Sequence, residues 1–134
     1  ADLSRSAAEA AQDASMETRD AISKTLTSVE LERAIAVIDR LKVLHREQKW
    51  EVAVERYSGL RAMLADIEAR IPSRSSSTSR NFRAATVQLR FIEDSVNKAL
   101  MRDQLPEKFE NFNESLNVIQ DTLQEIASQT HFAA

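Results

Sequence analysis

Cysteine is absent from the 134-residue chain, and glycine and proline are scarce, with one Gly and two Pro. Without cysteine the chain has no disulfide, no thiolate metal site and no catalytic thiol, although a cysteine-free protein is compatible with either redox compartment. Sandwiches, barrels and doubly wound sheets need a tight turn about every ten residues, and such turns depend on glycine and proline. The fold class that remains is all-α.

Long apolar runs are also absent. The longest run extends only from Ala34 to Ile38, far short of the ~20 residues that cross a bilayer, and no signal segment opens the chain. We therefore expect a soluble protein and assign it to the cytoplasm. Because the chain begins at Ala1 rather than at Met, we expect a processed form or a piece of a longer protein.

Four segments repeat apolar residues at alternating spacings of three and four, which is the heptad pattern of helices that pack at a shallow angle. The pattern predicts helices at about 28–46, 50–71, 80–103 and 106–130, joined by short connections. Matched lengths and short connections favour an antiparallel up-down-up-down four-helix bundle. The predicted core positions are Leu31, Ala34, Ile38, Leu41, His45, Trp50, Ala53, Tyr57, Leu60, Leu64, Ile67, Ile71, Phe82, Ala85, Leu89, Ile92, Val96, Ala99, Phe109, Phe112, Leu116, Ile119, Leu123 and Ile126.

An Ala-rich segment, residues 1–27, precedes the bundle and is predicted to be an additional N-terminal helix. Thr27 and Glu30 have the spacing of a capping box, which predicts that a new helix begins at Thr27. The segment has few large apolar side chains, and an isolated helix of this kind is marginal in water. Three alternatives stay open, in which it docks on the bundle, extends the next helix or binds a partner.

The sequence contains no recognisable catalytic or metal-binding pattern. A di-metal helical bundle needs Glu-x-x-His on two helices, and no Glu stands three residues before His45 or His131. His45 falls on a core position, where an imidazole is usually hydrogen-bonded to a neighbour, and phosphate-binding loops need glycines that the chain lacks. We predict no catalytic residue, no metal and no cofactor, and therefore a protein that is not an enzyme.

The low-complexity segment 72–79 is rich in serine and is predicted to be a flexible loop. It offers candidate phosphorylation sites at Ser77, Thr78 and Ser79, where a phosphate would lie near the start of the third helix and its arginines. The few arginines here, in a protein of net charge −3, are a poor footprint for nucleic acid, which we exclude as a partner.

The hairpin 29–72 resembles a single tetratricopeptide helix pair, through Trp50, Ala53, Tyr57, Leu60 and Pro72. No second copy follows at the ~34-residue period, and the first helix lacks the glycine of such a repeat. We therefore assign the chain to no family.

Apolar residues and a glycine at positions outside the heptad core are the candidate partner-binding residues: Val52, Gly59, Val87, Phe91 and Met101. Either the N-terminal helix covers Val87 and Phe91, or another chain does. We predict a protein–protein interaction module, such as an adaptor, scaffold or regulatory domain, with a homo-oligomer left open. The alternative is a bundle that releases its N-terminal helix onto a membrane, although the acidic character of that helix argues against anionic lipid.

Overall fold

The computed structural model describes residues 2–70 and 76–132, and side chains for 6–18, 26–70 and 79–128. Its helices are α1 (Asp2–Arg46), α2 (Trp50–Arg70), α3 (Ser76–Met101) and α4 (Phe112–Phe132), with a short 3₁₀ turn at Phe109–Asn111 directly before α4. The described residues contain no strand. The predicted all-α helical bundle is confirmed.

The helices form a closed ring in which α1 contacts α2 and α4, and α3 contacts the same two helices. The residue pairs that join two neighbouring helices run in opposite order along the two helices, as they must when the helices are antiparallel. These pairs are Glu30 with Arg70 and His45 with Tyr57 between α1 and α2, Arg61 with Glu93 and Glu68 with Arg83 between α2 and α3, and His45 with Asn113 and Asp39 with Gln120 between α1 and α4.

The predicted heptad positions form the core. Every one of them with a described side chain is buried, apart from Phe109, which is half-buried and packs against the same cluster. Ile71 lies outside the described residues. Because each helix buries one apolar stripe against two neighbours, the hydrophobic effect stabilises all four helices together.

The predicted helix start at Thr27 is wrong, because α1 is continuous for 45 residues. Residues 2–27 are therefore not a separate helix, and the structure supports the alternative in which the segment extends the next helix. No glycine or proline interrupts positions 2 to 46, so a continuous helix keeps every intrahelical hydrogen bond that a break would lose. Thr27 is buried within the helix.

Two further boundaries differ from the prediction. Ser76 to Ser79 are helical, so α3 begins four residues before the predicted position. The second half of the predicted loop 72–79 is therefore part of α3, and residues 72–75 lie outside the described residues. The predicted start of the fourth helix at Pro106 is wrong, because α4 begins only at Phe112. Residues 102–108 instead form an irregular connection in which Asp103 and Lys108 have positive φ.

Tight turns in this chain are made without glycine. Gln48 and Asp103 have φ of 56° and 51° just after α1 and α3, and in each case the next amide donates to a carbonyl five residues earlier (Lys49 to Leu44 and Gln104 to Ala99, both 2.9 Å). This is the Schellman motif, in which glycine normally occupies the position with positive φ that Gln48 and Asp103 occupy here. Gly59 lies inside α2 with ordinary helical φ.

Candidate functional site

The outward side of α3 carries a second row of residues with the heptad spacing. Every side chain in this row is exposed, and the row consists of Arg80, Ala84, Val87, Phe91, Asp94, Lys98 and Met101. We call it the α3 face. At about 100° per residue, the row lies on the side of the helix opposite Phe82, Leu89 and Val96 of the core. Val87, Phe91 and Met101 expose 66%, 69% and 88% of their surface, which is unusual for large apolar side chains clustered on one helix.

The first explanation offered for Val87 and Phe91, that the N-terminal helix covers them, is wrong. Both side chains are exposed, and the described side chains of residues 6–18 are exposed as well. The physical reason is the continuity of α1, which carries its N-terminal part beyond the bundle instead of folding it back. Within the described part of the chain, the α3 face is uncovered.

We call residues 2–26 of α1 the arm. At about 1.5 Å per residue it extends roughly 35 Å. Its described side chains are all exposed. Met16 and Leu26, the large apolar ones among them, expose 54% and 47% of their surface. The membrane alternative requires the release of a packed helix, whereas the side chains of residues 6–18 are exposed in this structure.

The other candidate partner-binding residues lie apart from the α3 face. Val52 is 41% exposed and lines an open groove of about 330 Å³ with Gln48, Trp50 and Leu100. Gly59 is exposed on α2, and a methyl group added there would meet no atom within 4 Å apart from its chain neighbours and the backbone of its own helix. Within the described part of the chain, no other helix therefore approaches Gly59 closely.

The candidate phosphorylation sites fall in the first turn of α3. Ser77, Thr78 and Ser79 are all helical, and Ser79 is half-buried. The structure thus places them at a helix N-terminus, where a phosphate is favoured by the helix dipole. It replaces the predicted loop by a helical turn at these positions.

A polar cluster closes the end of the bundle where α1 meets α2. His45 is 3% exposed, and its Nδ1 lies 2.9 Å from the Asn113 side-chain oxygen, while its Nε2 is hydrogen-bonded with the Tyr57 hydroxyl. Asn113 in turn donates its amide nitrogen to the Lys42 carbonyl at 3.0 Å. That bond orients the amide, so Nδ1 of His45 carries the proton and Nε2 accepts from Tyr57.

Aromatic rings enclose this cluster. The rings of Trp50, Tyr57 and Phe112 have their centres 5.4, 5.8 and 5.7 Å from that of His45. Burial therefore lowers the pKa of His45, although its hydrogen bond with Asn113 partly opposes the shift. Burial also raises the pKa of Tyr57, with a further contribution from the charge of Glu93. His45 is therefore buried and hydrogen-bonded on both nitrogens, which is the environment that its position in the heptad predicts.

Ion pairs on α3 connect it to α2. Arg61 pairs with Glu93 at 2.7 Å, and Arg83 approaches Glu68 at 3.5 Å. Among the described residues no ion pair joins α3 to α4.

In the described part of the chain no group of His, Asp and Glu side chains could hold a metal ion. No described helix combines the length and apolar character needed to cross a membrane. No family model matches the chain, and neither a curated protein nor a solved structure matches it significantly.

Sequence reasoning identified Val87, Phe91 and Met101 but missed the row to which they belong. The spacing of positions 80, 84, 87, 91, 94, 98 and 101 is visible in the sequence, and a search for a second heptad register on α3 would have found it. Asn113 was also missed as the partner of His45, because 68 residues separate the two and no local pattern connects them.

Proposed function

We propose that the chain is a non-enzymatic protein–protein interaction module that binds a helix of its partner on the α3 face. The observation that carries this proposal is the exposure of three large apolar side chains at heptad spacing on α3, Val87, Phe91 and Met101. Apolar residues at heptad spacing are the pattern by which one helix packs along another, so these exposed residues have the form of an unused helix-packing surface.

The charges of the α3 face indicate the chemistry of the partner helix. Arg80 and Lys98 lie in the row and Arg90 beside it, whereas Asp94 is the acid of the described face. An amphipathic helix with acidic residues beside an apolar stripe would complement both the charge and the apolar side chains Val87 and Phe91.

A peptide titration tests the proposal. A synthetic amphipathic helix with leucines at heptad spacing and glutamates at its flanks would be added to the ¹⁵N-labelled chain, with a lysine-flanked peptide as the charge control. We expect amide shifts on α3 with the acidic peptide and weaker shifts with the basic one. Phe91→Ser should weaken binding about tenfold or more, as the loss of a central aromatic contact does.

Val29→Ser is the matched control, because Val29 is also exposed, at 42%, but lies on α1. It should leave the affinity within about twofold. The proposal fails if neither peptide binds, or if Val29→Ser weakens binding as much as Phe91→Ser. Flotation with anionic vesicles but no peptide binding would favour the membrane alternative.

A further inference from the structure

One end of the bundle, where α1 ends and α2 and α4 begin, contains a buried histidine. We propose that this end is a pH-sensitive switch, in which protonation of His45 opens the 47–49 turn and exposes Trp50 while the four helices remain paired. The buried polar side chains of the described residues are Thr27, His45 and Gln120. Of these, only histidine changes its charge between pH 5 and 8, so mild acid acts on the core at this end.

Protonation changes the hydrogen bonds that hold His45. In the neutral ring, Nδ1 donates to Asn113 and Nε2 accepts from the Tyr57 hydroxyl. A protonated Nε2 is a donor, so the hydroxyl can no longer donate to it. The Tyr57 hydroxyl has no second hydrogen-bond partner in the described part of the chain. Opening this end would supply water as the missing acceptor.

The charges around His45 do not compensate for a proton. The nearest charged groups of α1 and the turn are two bases and an ion pair, Lys42 and Arg46, and Glu47 with Lys49. Of the acids, Glu93 of α3 is paired with Arg61, and those at the starts of α2 and α4 are exposed, namely Glu51, Glu110 and Glu114. None of the described ion pairs includes His45. A charge on His45 would therefore be buried without a counter-charge, which destabilises the closed end.

The 47–49 turn depends directly on the end of α1. The Gln48 amide donates to the His45 carbonyl at 3.1 Å, and the Lys49 amide donates to the Leu44 carbonyl at 2.9 Å. Gln48 has a φ of 56°, a conformation that side chains other than glycine adopt at a cost. A displacement of His45 therefore reaches the turn, and opening the turn relieves the strain at Gln48.

Trp50 also favours opening. It is 7% exposed, and its indole N–H is buried without a hydrogen-bond acceptor in the described part of the chain, which destabilises the closed state. Its ring lies between those of His45 and Phe109, with centres 5.4 and 5.6 Å away. Trp50 also lines the open groove beside Val52 and Leu100, so water is close to it.

Hydrogen exchange of the native full chain, followed by NMR, tests the switch. The Lys49 and Ala53 amides donate to the Leu44 and Lys49 carbonyls at 2.9 and 3.0 Å, so their exchange reports on the turn. We expect their protection factors to fall up to about tenfold from pH 7.5 to pH 5.5, because opening takes up one proton below pH 6.5. The Leu64 and Leu89 amides in the middle of the bundle should be better protected. Dilute urea should affect only these two, because local opening exposes little surface.

His45→Gln keeps a hydrogen-bonding side chain but removes the titration. In this variant the protection of the Lys49 and Ala53 amides should agree within about twofold at the two pH values. His131→Gln is the control and should keep the pH dependence of the unmodified chain. An NMR titration of the His45 ring in the unmodified chain gives a readout that needs no variant, and the ring should titrate below pH 6.5.

The switch is overturned if the Lys49 and Ala53 amides keep their protection at pH 5.5, if His45→Gln retains the fall, or if the His45 ring titrates at or above pH 6.5. It is also overturned if these amides match Leu64 and Leu89 in protection and in urea dependence. That result would mean that the end opens only when the whole bundle unfolds.

Discussion

The two halves of α1 show how differently one continuous helix can be stabilised. From Thr27 to His45, a buried residue recurs every three or four positions and the helix contacts both α2 and α4. From Ser6 to Thr18, every side chain is exposed. The exposed N-terminal half depends on helix propensity and on the helix that continues from it, whereas the C-terminal half is stabilised by burial. Helical form is therefore weak evidence of packing in this chain.

The largest expected effect comes from removing a core side chain of the packed half. Leu41 is fully buried, so Leu41→Ala should lower the free energy of unfolding by about 3 kcal/mol through lost burial and a residual cavity. Met16→Ala in the arm should change it by less than about 0.5 kcal/mol. Urea unfolding of both variants measures the contrast, and equal losses would show that the arm is packed.

A smaller effect concerns pH, because the packed half contains the buried His45. The unfolded histidine has a pKa near 6.5, and the folded pKa is lower, so below about pH 6.5 the unfolded chain binds more protons. Stability should be at its full value above pH 6.5 and fall by about 1 kcal/mol toward pH 5.5.

Urea unfolding at pH 7.5 and pH 5.5 checks this pH dependence. His45→Gln should reduce the difference between the two pH values, and His131→Gln should retain it. A His131→Gln variant that removed the difference would assign the pH dependence to the other histidine.

The smallest expected effect is that of deleting residues 1–18. Since the described side chains of 6–18 are exposed, the deletion should change the free energy of unfolding by less than about 0.5 kcal/mol. Thermal and urea unfolding of the truncated chain would show this. A sharp fall in melting temperature together with aggregation would mean that the arm covers an apolar surface, and Val87 and Phe91 would be the first residues to re-examine.

The core could be predicted from the sequence because its signal is local and periodic. A buried stripe on a helix repeats every three to four residues, and the chain has few glycines or prolines to interrupt that repeat. His45 was assigned to the core in the same way. The boundaries at Thr27, Ser76 and Phe112 were predicted less well, because a capping motif, a serine-rich run and a proline each indicate what a terminus prefers without requiring one there.

The candidate surface was only partly predictable. Val87 and Phe91 stand out as apolar residues away from the core stripe, but the sequence leaves open whether the arm covers them. That question depends on the direction of α1 relative to α3, which involves residues far apart in the chain. The same holds for Asn113, which orients His45 from α4.

Composition and periodicity alone thus determine that this chain is all-α and which side chains form its core, because burial of a helical stripe follows from residue spacing. Tertiary structure decides that the side chains of residues 6–18 of α1 lie in solvent and that the α3 face is uncovered within the described part of the chain. These features depend on the relative placement of distant helices, which is set by packing across the whole bundle rather than by any local pattern.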